Sequence, residues 1–327
     1  MQNNLDTAGH AESKAGSGAE ITSAVGHNRL PEDISFQAVM KMPLKIPVPG
    51  KNPTLDFVRD GDRAAAVELL LDLCQKAPDR SVLRWAGGCK GFTPEMVDDL
   101  FSFVAKGSLS PDQQRSFRGA VGSGGTMDFA KDGSESVMIT QVPYYTARLN
   151  DCVSWSSTPQ TFRASLDADR QGSLIVSKYG AHLDHRGHMS ILTQNSASSF
   201  QGWDGDVRLY IEAMESFAKR GFKTAVGVVN GGDVTKDEAL MALSKNIPVI
   251  LVRGTQRAAD ELIAAEEAVD SDARFETLYK EAYRRNLLSP EKEPVPSAEQ
   301  RVALIKIVDL KNPRTLSLAL DELGMLT

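Results

Sequence analysis

Asp233, Asp237 and Glu238 follow the pair Gly231-Gly232 within seven positions. Three carboxylates gathered behind a glycine turn suit ribose hydroxyls, a metal ion or proton transfer, and would repel a phosphate. Glu238 has a second reading, because Thr235-Lys236-Asp237-Glu238 fits the S/T-x-x-E pattern in which the glutamate caps a helix start and does no chemistry. Arg257 follows the turn Gly254-Thr255-Gln256 and belongs in the first turn of a helix, where a cation opposes the helix dipole by about 0.3–1 kcal/mol. A compensating anion is implied. It is either Asp260 or Glu261, reached within a turn, or a ligand phosphate or carboxylate held by the guanidinium fork.

Three glycine turns stand at the ends of predicted strands: Gly87-Gly88, Gly122 to Gly125, and Gly231-Gly232. In an alternating β/α chain they point to one shared crevice, the alternative being tight turns needed only for packing. Gly122, Ser123, Gly124, Gly125 and Thr126 form the best phosphate seat, since no acid precedes Asp128 there and both hydroxyls add to the backbone N–H donors. His182, His185 and His188 in HLDHRGH have none of the zinc-motif spacings, and no metal or cofactor is expected. A polar turn or a ligand edge is the reading there. Tyr144, Tyr145, Trp155 and Trp203 are candidates either for stacking on a base or for packing.

The elements that must position these residues follow an α/β alternation. Ala225 to Val229 and Ile247 to Val252 are short Val- and Ile-rich runs of the kind found in parallel strands buried on both faces. Leu240, Leu243 and Ile247 keep helical spacing between them. Further strands are predicted at Ser81 to Ala86, Phe117 to Val121, Val137 to Val142, Ser173 to Ser177 and Met189 to Gln194, the last two joined as a hairpin. Helices are predicted at Asp62 to Gln75, Pro94 to Lys106, Asp206 to Arg220, Ala258 to Val269 and Ala273 to Arg285, with two short ones to the end. Asn150 to Gln171 reads as a long loop over the carboxyl edge. The fold class is a Rossmann-like α/β three-layer sandwich with a mostly parallel sheet. Residues 1–33, poor in hydrophobics, are expected to be disordered, 34–270 to form the nucleotide-binding domain, and 271–327 to be a helical C-terminal extension amphipathic enough to dock on the domain or on a second subunit.

The chain's 327 residues and formal charge of −6 allow a full core and argue against a nucleic-acid partner, which needs clustered Lys and Arg. Cys74, Cys89 and Cys152 are an odd number without CxxC spacing, so neither a disulfide framework nor a thiolate site is indicated. No apolar run reaches the roughly 20 residues that span a bilayer, and the start lacks a secretory h-region. A soluble, cytoplasmic protein without direct membrane insertion is expected.

From about Ser81 to Ile263 the chain resembles the SLOG-type (LSDAT) nucleotide-sensing domain of melastatin-type TRP channels and its prokaryotic relatives. VLRWAGGCKGF resembles the family's opening strand and Gly-Gly turn, FRGAVGSGGTM its second glycine-rich turn, and GAHLDHRGHMSILTQ its His-containing strand pair. VVNGGDVTKDEALMALSKNIPVILVRGTQRAAD ends in the family's G-S-G-R-x-[AS]-D signature as Gly254 to Asp260. The resemblance implies binding of a nucleotide-derived ligand such as ADP-ribose, with Arg257 and Gly122 to Thr126 as the best contacts. It also implies a free-standing soluble sensor or enzyme acting with a separately encoded membrane partner or effector, while the amphipathic tail leaves a homo-oligomer open. Where the channel-type helix before the Gly-Gly strand offers a ligand-binding Arg, Ile211 and Ala213 stand here, and Arg208, one turn earlier, is the nearby substitute. A more distant resemblance is to the Lonely Guy phosphoribohydrolases, whose P-G-G-x-G-T-x-x-E motif is approximated by Asn230 to Glu238. It implies an N-glycosidase using Glu238, with Asp237 or Asp233 positioning water or ribose. A protein-interaction module is the remaining alternative.

Overall fold

Every residue of Lys223–Asn230 except the first is buried, as is most of Val249–Arg253, which is what two-sided burial demands of such uniformly apolar runs. The computed structural model of the chain describes residues 33–35, 54–58, 62–74, 81–88, 119–122, 153–159, 189–193 and 204–325, together with 91–93, 95–96, 99–100 and 102–103. Its strands are β1 (Asp33–Ser35), β2 (Thr54–Val58), β3 (Ser81–Gly88), β4 (Gly119–Gly122), β5 (Val153–Pro159), β6 (Met189–Thr193), β7 (Lys223–Asn230), β8 (Val249–Arg253) and β9 (Ile305–Asp309). The helices are α1 (Arg63–Cys74), α2 (Asp204–Lys219), α3 (Asp233–Ser244), α4 (Arg257–Glu266), α5 (Ser271–Arg284), α6 (Ala298–Leu304) and α7 (Pro313–Glu322).

The nine strands among the described residues all lie in one sheet, in the order β1-β2-β6-β5-β4-β3-β7-β8-β9, and every neighbouring pair is parallel. Alternation along the strands sorts the core into two layers. Val82, Ala86, Val226, Val228, Val249 and Leu251 face α1 to α5 through Leu70, Tyr210, Phe217, Leu240, Leu262 and Phe275. Leu83, Trp85, Ala225, Val229, Ile250 and Val252 face Phe92, Leu100, Phe103 and, from α7, Leu316 and Leu320. This is the three-layer α/β sandwich expected from the sequence.

The order holds the fact that matters most for a ligand. β3 leads to β4 on one side and β7 leads to β8 on the other, yet β3 and β7 are neighbours, in register from Ser81↔Lys223 to Gly88↔Asn230. The segments leaving them pack on opposite faces, through Phe92, Leu100 and Phe103 on one and through α3 on the other. Such a reversal opens a crevice at the carboxyl ends of the two strands, where open α/β sheets take their ligands. Gly87-Gly88 and Gly231-Gly232 flank it.

Three expectations change. Val153–Pro159 forms β5 inside the stretch read as a loop, since its three serines mask a strand that gains its stability from pairing with β4 and β6. The hairpin expected at Met189 to Gln194 does not form at β6, because both edges of β6 are taken by parallel neighbours, β5 and β2. The tail has its helices but also β9, which pairs with β8 from Val249↔Ile305 to Arg253↔Asp309. Spacing in AEQRVALIKIVDL continues a helix, and only the open edge of β8 makes IKIVD a strand. The strands expected at 137–142 and 173–177, the three histidines, and all but the last residue of the segment 1–33 expected to be disordered lie outside the described residues.

β9 ends the sheet with a blunted edge: the Ile305 N–H donates to the Arg301 carbonyl, and the Asp309 N–H to Thr315 Oγ1 at 2.9 Å. Arg301 ties α6 to the domain. Only 2% exposed, it donates to Glu266 (3.0 Å), Asp272 (2.6 Å) and the Pro296 carbonyl (3.1 Å), and its guanidinium carbon lies 4.5 Å from the Phe275 ring centroid. Arg301→Met is expected to lower unfolding free energy by about 2–3 kcal/mol, given charged hydrogen bonds of about 1.5–3 each. Urea unfolding followed by circular dichroism checks it.

Candidate functional site

Two turns build the crevice wall beyond β7 and β8. At the end of β7 the backbone turns left-handed at Asn230 (φ 52°) and Gly231 (φ 86°), and Gly232 takes the N-cap position of α3. Glycine is required at 231: a Cβ there would meet the Thr235 side chain at 2.5 Å. The turn after β8 carries three positive φ angles, at Gly254 (84°), Gln256 (70°) and Arg257 (49°), and non-glycine residues held this way cost of order 1–3 kcal/mol each. Thr255, fully buried, fastens the turns together. Its Oγ1 accepts from the Asn230 N–H (2.9 Å) and donates to the Val252 carbonyl (2.7 Å). Thr235 and Thr255 therefore shape the turns from within, with side chains packed into the fold.

The carboxylates near this turn are deployed differently from the sequence expectation. α3 begins at Asp233, so Thr235 and Glu238 lie inside the helix and the anticipated capping box does not form. The left-handed pair Asn230-Gly231 ends the strand early enough for the helix to start before Thr235 is reached. The chain forms that box elsewhere, at Ser297 and Gln300 on α6. Glu238 instead accepts from Arg84 of β3, Nε to Oε1 at 2.8 Å and Nη2 to Oε2 at 3.1 Å, and the two side chains are 4% and 3% exposed. Arg84 also donates to the Trp85 carbonyl and stacks 3.5 Å from the Tyr210 ring centroid. Asp237, with a fully buried side chain, is held by Arg285, whose Nε donates to Oδ2 at 2.7 Å. Burial pushes the Asp237 carboxyl above its ordinary pKa, opposed by the Arg285 guanidinium. Only Asp233 of the three is open to solvent, with its side chain 47% exposed. The crowd of acids that would repel an anion is thus two buried neutral pairs and one rim residue.

Lys236 completes the pattern. Its Nζ lies 2.5 Å from Glu261 and 3.5 Å from Asp233. Although burial opposes its charged form most strongly, the two carboxylates together raise its pKa. Consecutive residues Lys236, Asp237 and Glu238 clamp α3 to α4, to the end of α5 and to β3.

Both sequence candidates for neutralising Arg257 are therefore engaged elsewhere. Glu261 holds Lys236, while Asp260 accepts from the Gly254 N–H (2.9 Å) and the Gln256 N–H (2.7 Å). Among the described residues no hydrogen bond or ion pair uses Arg257, which is exposed. Its guanidinium lies over Gly232, where a Cβ would come within 3.0 Å of Nη2. Among the described residues, no side chain caps α3 at that same point. A free guanidinium above uncapped helical N–H groups is a place for phosphate or carboxylate oxygens.

The other residues singled out in the sequence spread around this point. Gly87 and Gly88 end β3 directly beside Val229 and Asn230. Gly91 lies near Gln256, whose Oε1 would stand 3.8 Å from a Cβ added to that glycine. Gly122 ends β4 opposite Trp85, further back from the edge than Gly88, and Ser123 to Thr126 lie outside the described residues. Arg208 on α2 donates through Nη2 to the Leu287 carbonyl at 2.8 Å, so it holds the segment after α5. Arg84 belongs to none of the glycine or acidic motifs. The available signal was a lone charge in the apolar run VLRWA, which requires a buried partner.

Residues 172–314 match the family model described as SLOG in TRPM, prokaryote. The matched stretch holds α2 to α6 with β6 to β9 and leaves β3 and the first two glycine turns before it. No curated protein matches the chain. Among the described residues, no helix is long and apolar enough to cross a membrane.

Proposed function

From the match of residues 172–314 to the prokaryotic family of SLOG domains in TRPM, we propose that this chain is a sensor binding a nucleotide-derived ligand, ADP-ribose-like or a nucleoside phosphate, in the crevice between β3 and β7. The observation that carries this reading is Arg257, exposed, without a protein partner among the described residues and poised over the uncapped start of α3. A phosphate there takes charge-assisted hydrogen bonds from the guanidinium and dipolar stabilisation from the helix. Asp233 on the rim suits ribose hydroxyls, and Gly232, with no side chain between the start of α3 and the Arg257 guanidinium, lets the ligand approach the backbone closely.

Binding is favoured over glycoside cleavage by the state of Glu238. A general acid or base must come within hydrogen-bond reach of the reacting atoms, and both oxygens of Glu238 are held by Arg84 beneath the surface. Arg257→Ala is expected to weaken binding by about tenfold to a hundredfold, the loss of one charged hydrogen bond of about 1.5–3 kcal/mol. Isothermal titration with ADP-ribose, NAD, AMP and ATP tests it. Unchanged affinity in the variant would remove the reading, and free-base release followed by proton NMR would replace it with the glycosidase.

A further inference from the structure

We propose that Asp260 is a positioning residue, whose carboxylate locks the Gly254-Thr255-Gln256 turn and so holds Arg257 over the crevice for the phosphate oxygens of a nucleotide. This rests on the reading of the crevice as a nucleotide site. Asp260 stands in the first turn of α4, a turn away from Arg257, and the simplest use of such a pair is an ion pair between them. The structure has none. Each carboxylate oxygen instead takes one backbone N–H, Oδ1 from Gly254 at 2.9 Å and Oδ2 from Gln256 at 2.7 Å.

Those two bonds bracket the residues whose backbone is least comfortable. Gln256 and Arg257 are consecutive non-glycine residues at φ 70° and 49°, a conformation that persists only where its surroundings enforce it. Thr255 fixes the inner side of the turn to β7, and Asp260 is the group that fixes its outer side. Without the carboxylate, two N–H groups lose their acceptors and the Gln256-Arg257 pair relaxes toward right-handed backbone. That rotation carries the Arg257 side chain away from Gly232. Asp260 also leaves Arg257 unneutralised by keeping its own charge on the backbone donors, so one residue both aims the cation and keeps it available.

A double-mutant cycle in the full chain separates this role from a general structural one, because residues that act through one another give non-additive effects. Affinity for ADP-ribose, AMP and inorganic pyrophosphate is measured by calorimetry for the wild type, Asp260→Asn, Arg257→Ala and the double variant, with circular dichroism confirming folding. Asn keeps the size but presents one acceptor and one donor to two N–H groups. The expected result is a loss of about tenfold from Asp260→Asn with Arg257 present and less than twofold with Arg257 replaced, in line with coupling between contacting sites. Equal losses in both backgrounds, or none in either, overturn the positioning role while leaving the site intact. If Arg257→Ala binds like the wild type, or the wild type binds none of the probes, the reading of the site falls and the inference with it. Should Asp260→Asn fail to fold, Asp260→Glu, which keeps the charge on a longer arm, goes through the same cycle with the same outcomes.

Discussion

Arg84→Met is expected to destabilise the chain by about 3–5 kcal/mol, the loss that follows when one partner of a buried ion pair is removed. Arg84 and Glu238 lie between β3 and α3 with side chains 3% and 4% exposed, so the variant leaves a carboxylate in the core with its bidentate donor gone. The penalty belongs to the orphaned charge more than to the pair itself. The double variant Arg84→Met, Glu238→Leu should therefore recover most of the lost stability, since a buried pair replaced by apolar groups of similar volume is often neutral or better. Urea unfolding measures both. The double variant should also still bind nucleotide, because Arg257 and the turns around it stay in place, whereas a glycosidase depending on Glu238 would lose all turnover. A double variant as unstable as the single one would show that the pair contributes more than mutual neutralisation, through the Arg84 stack on Tyr210 or the bond to the Trp85 carbonyl.

The same pair marks how far the chain could be read without its fold. Strands β3, β7 and β8 and helices α1 to α5 were legible because their residues repeat with the period of their elements and their surroundings agree with that period. β5 and β9 were not, since VSWSSTP and IKIVD become strands only by pairing with neighbours already in the sheet, and tertiary pairing overrides local preference. At the site, Gly231, Gly232, Gly254 and Arg257 stood out by type and position. Their surroundings did not. The partner of Glu238 lies 154 positions away in the chain and that of Asp237 lies 48 away. Spacing within a motif carries no information about such partners, so three carboxylates that looked like one acidic cluster are three separate struts or rim groups. Adjacency of β3 and β7 was equally hidden, because strand order is a property of the whole sheet.

Gly87→Ala is expected to cost more than the same change at any other described glycine, above about 4 kcal/mol and enough to abolish cooperative folding, a size confined to a short list of causes. Gly87 has φ 125°, and a Cβ built on it falls 1.8 Å from the Val229 carbonyl oxygen and 2.9 Å from its carbon. Both are backbone atoms of the neighbouring strand, so no side chain can rotate away. Relief requires β3 and β7 to part at the mouth of the crevice, which breaks their pairing at Gly87↔Val229 and Gly88↔Asn230 and tilts the turn on which α3 starts. Gly91→Ala is the control. Its φ of 85° imposes a similar backbone penalty, but the nearest atom to its Cβ is the Gln256 Oε1 at 3.8 Å, so only the conformational cost of about 1–2 kcal/mol remains. Thermal and urea unfolding of the two variants side by side separates steric exclusion from left-handed strain. If Gly87→Ala were no worse than Gly91→Ala, the strand contact could yield, and the two walls of the crevice would be free to move apart around a ligand.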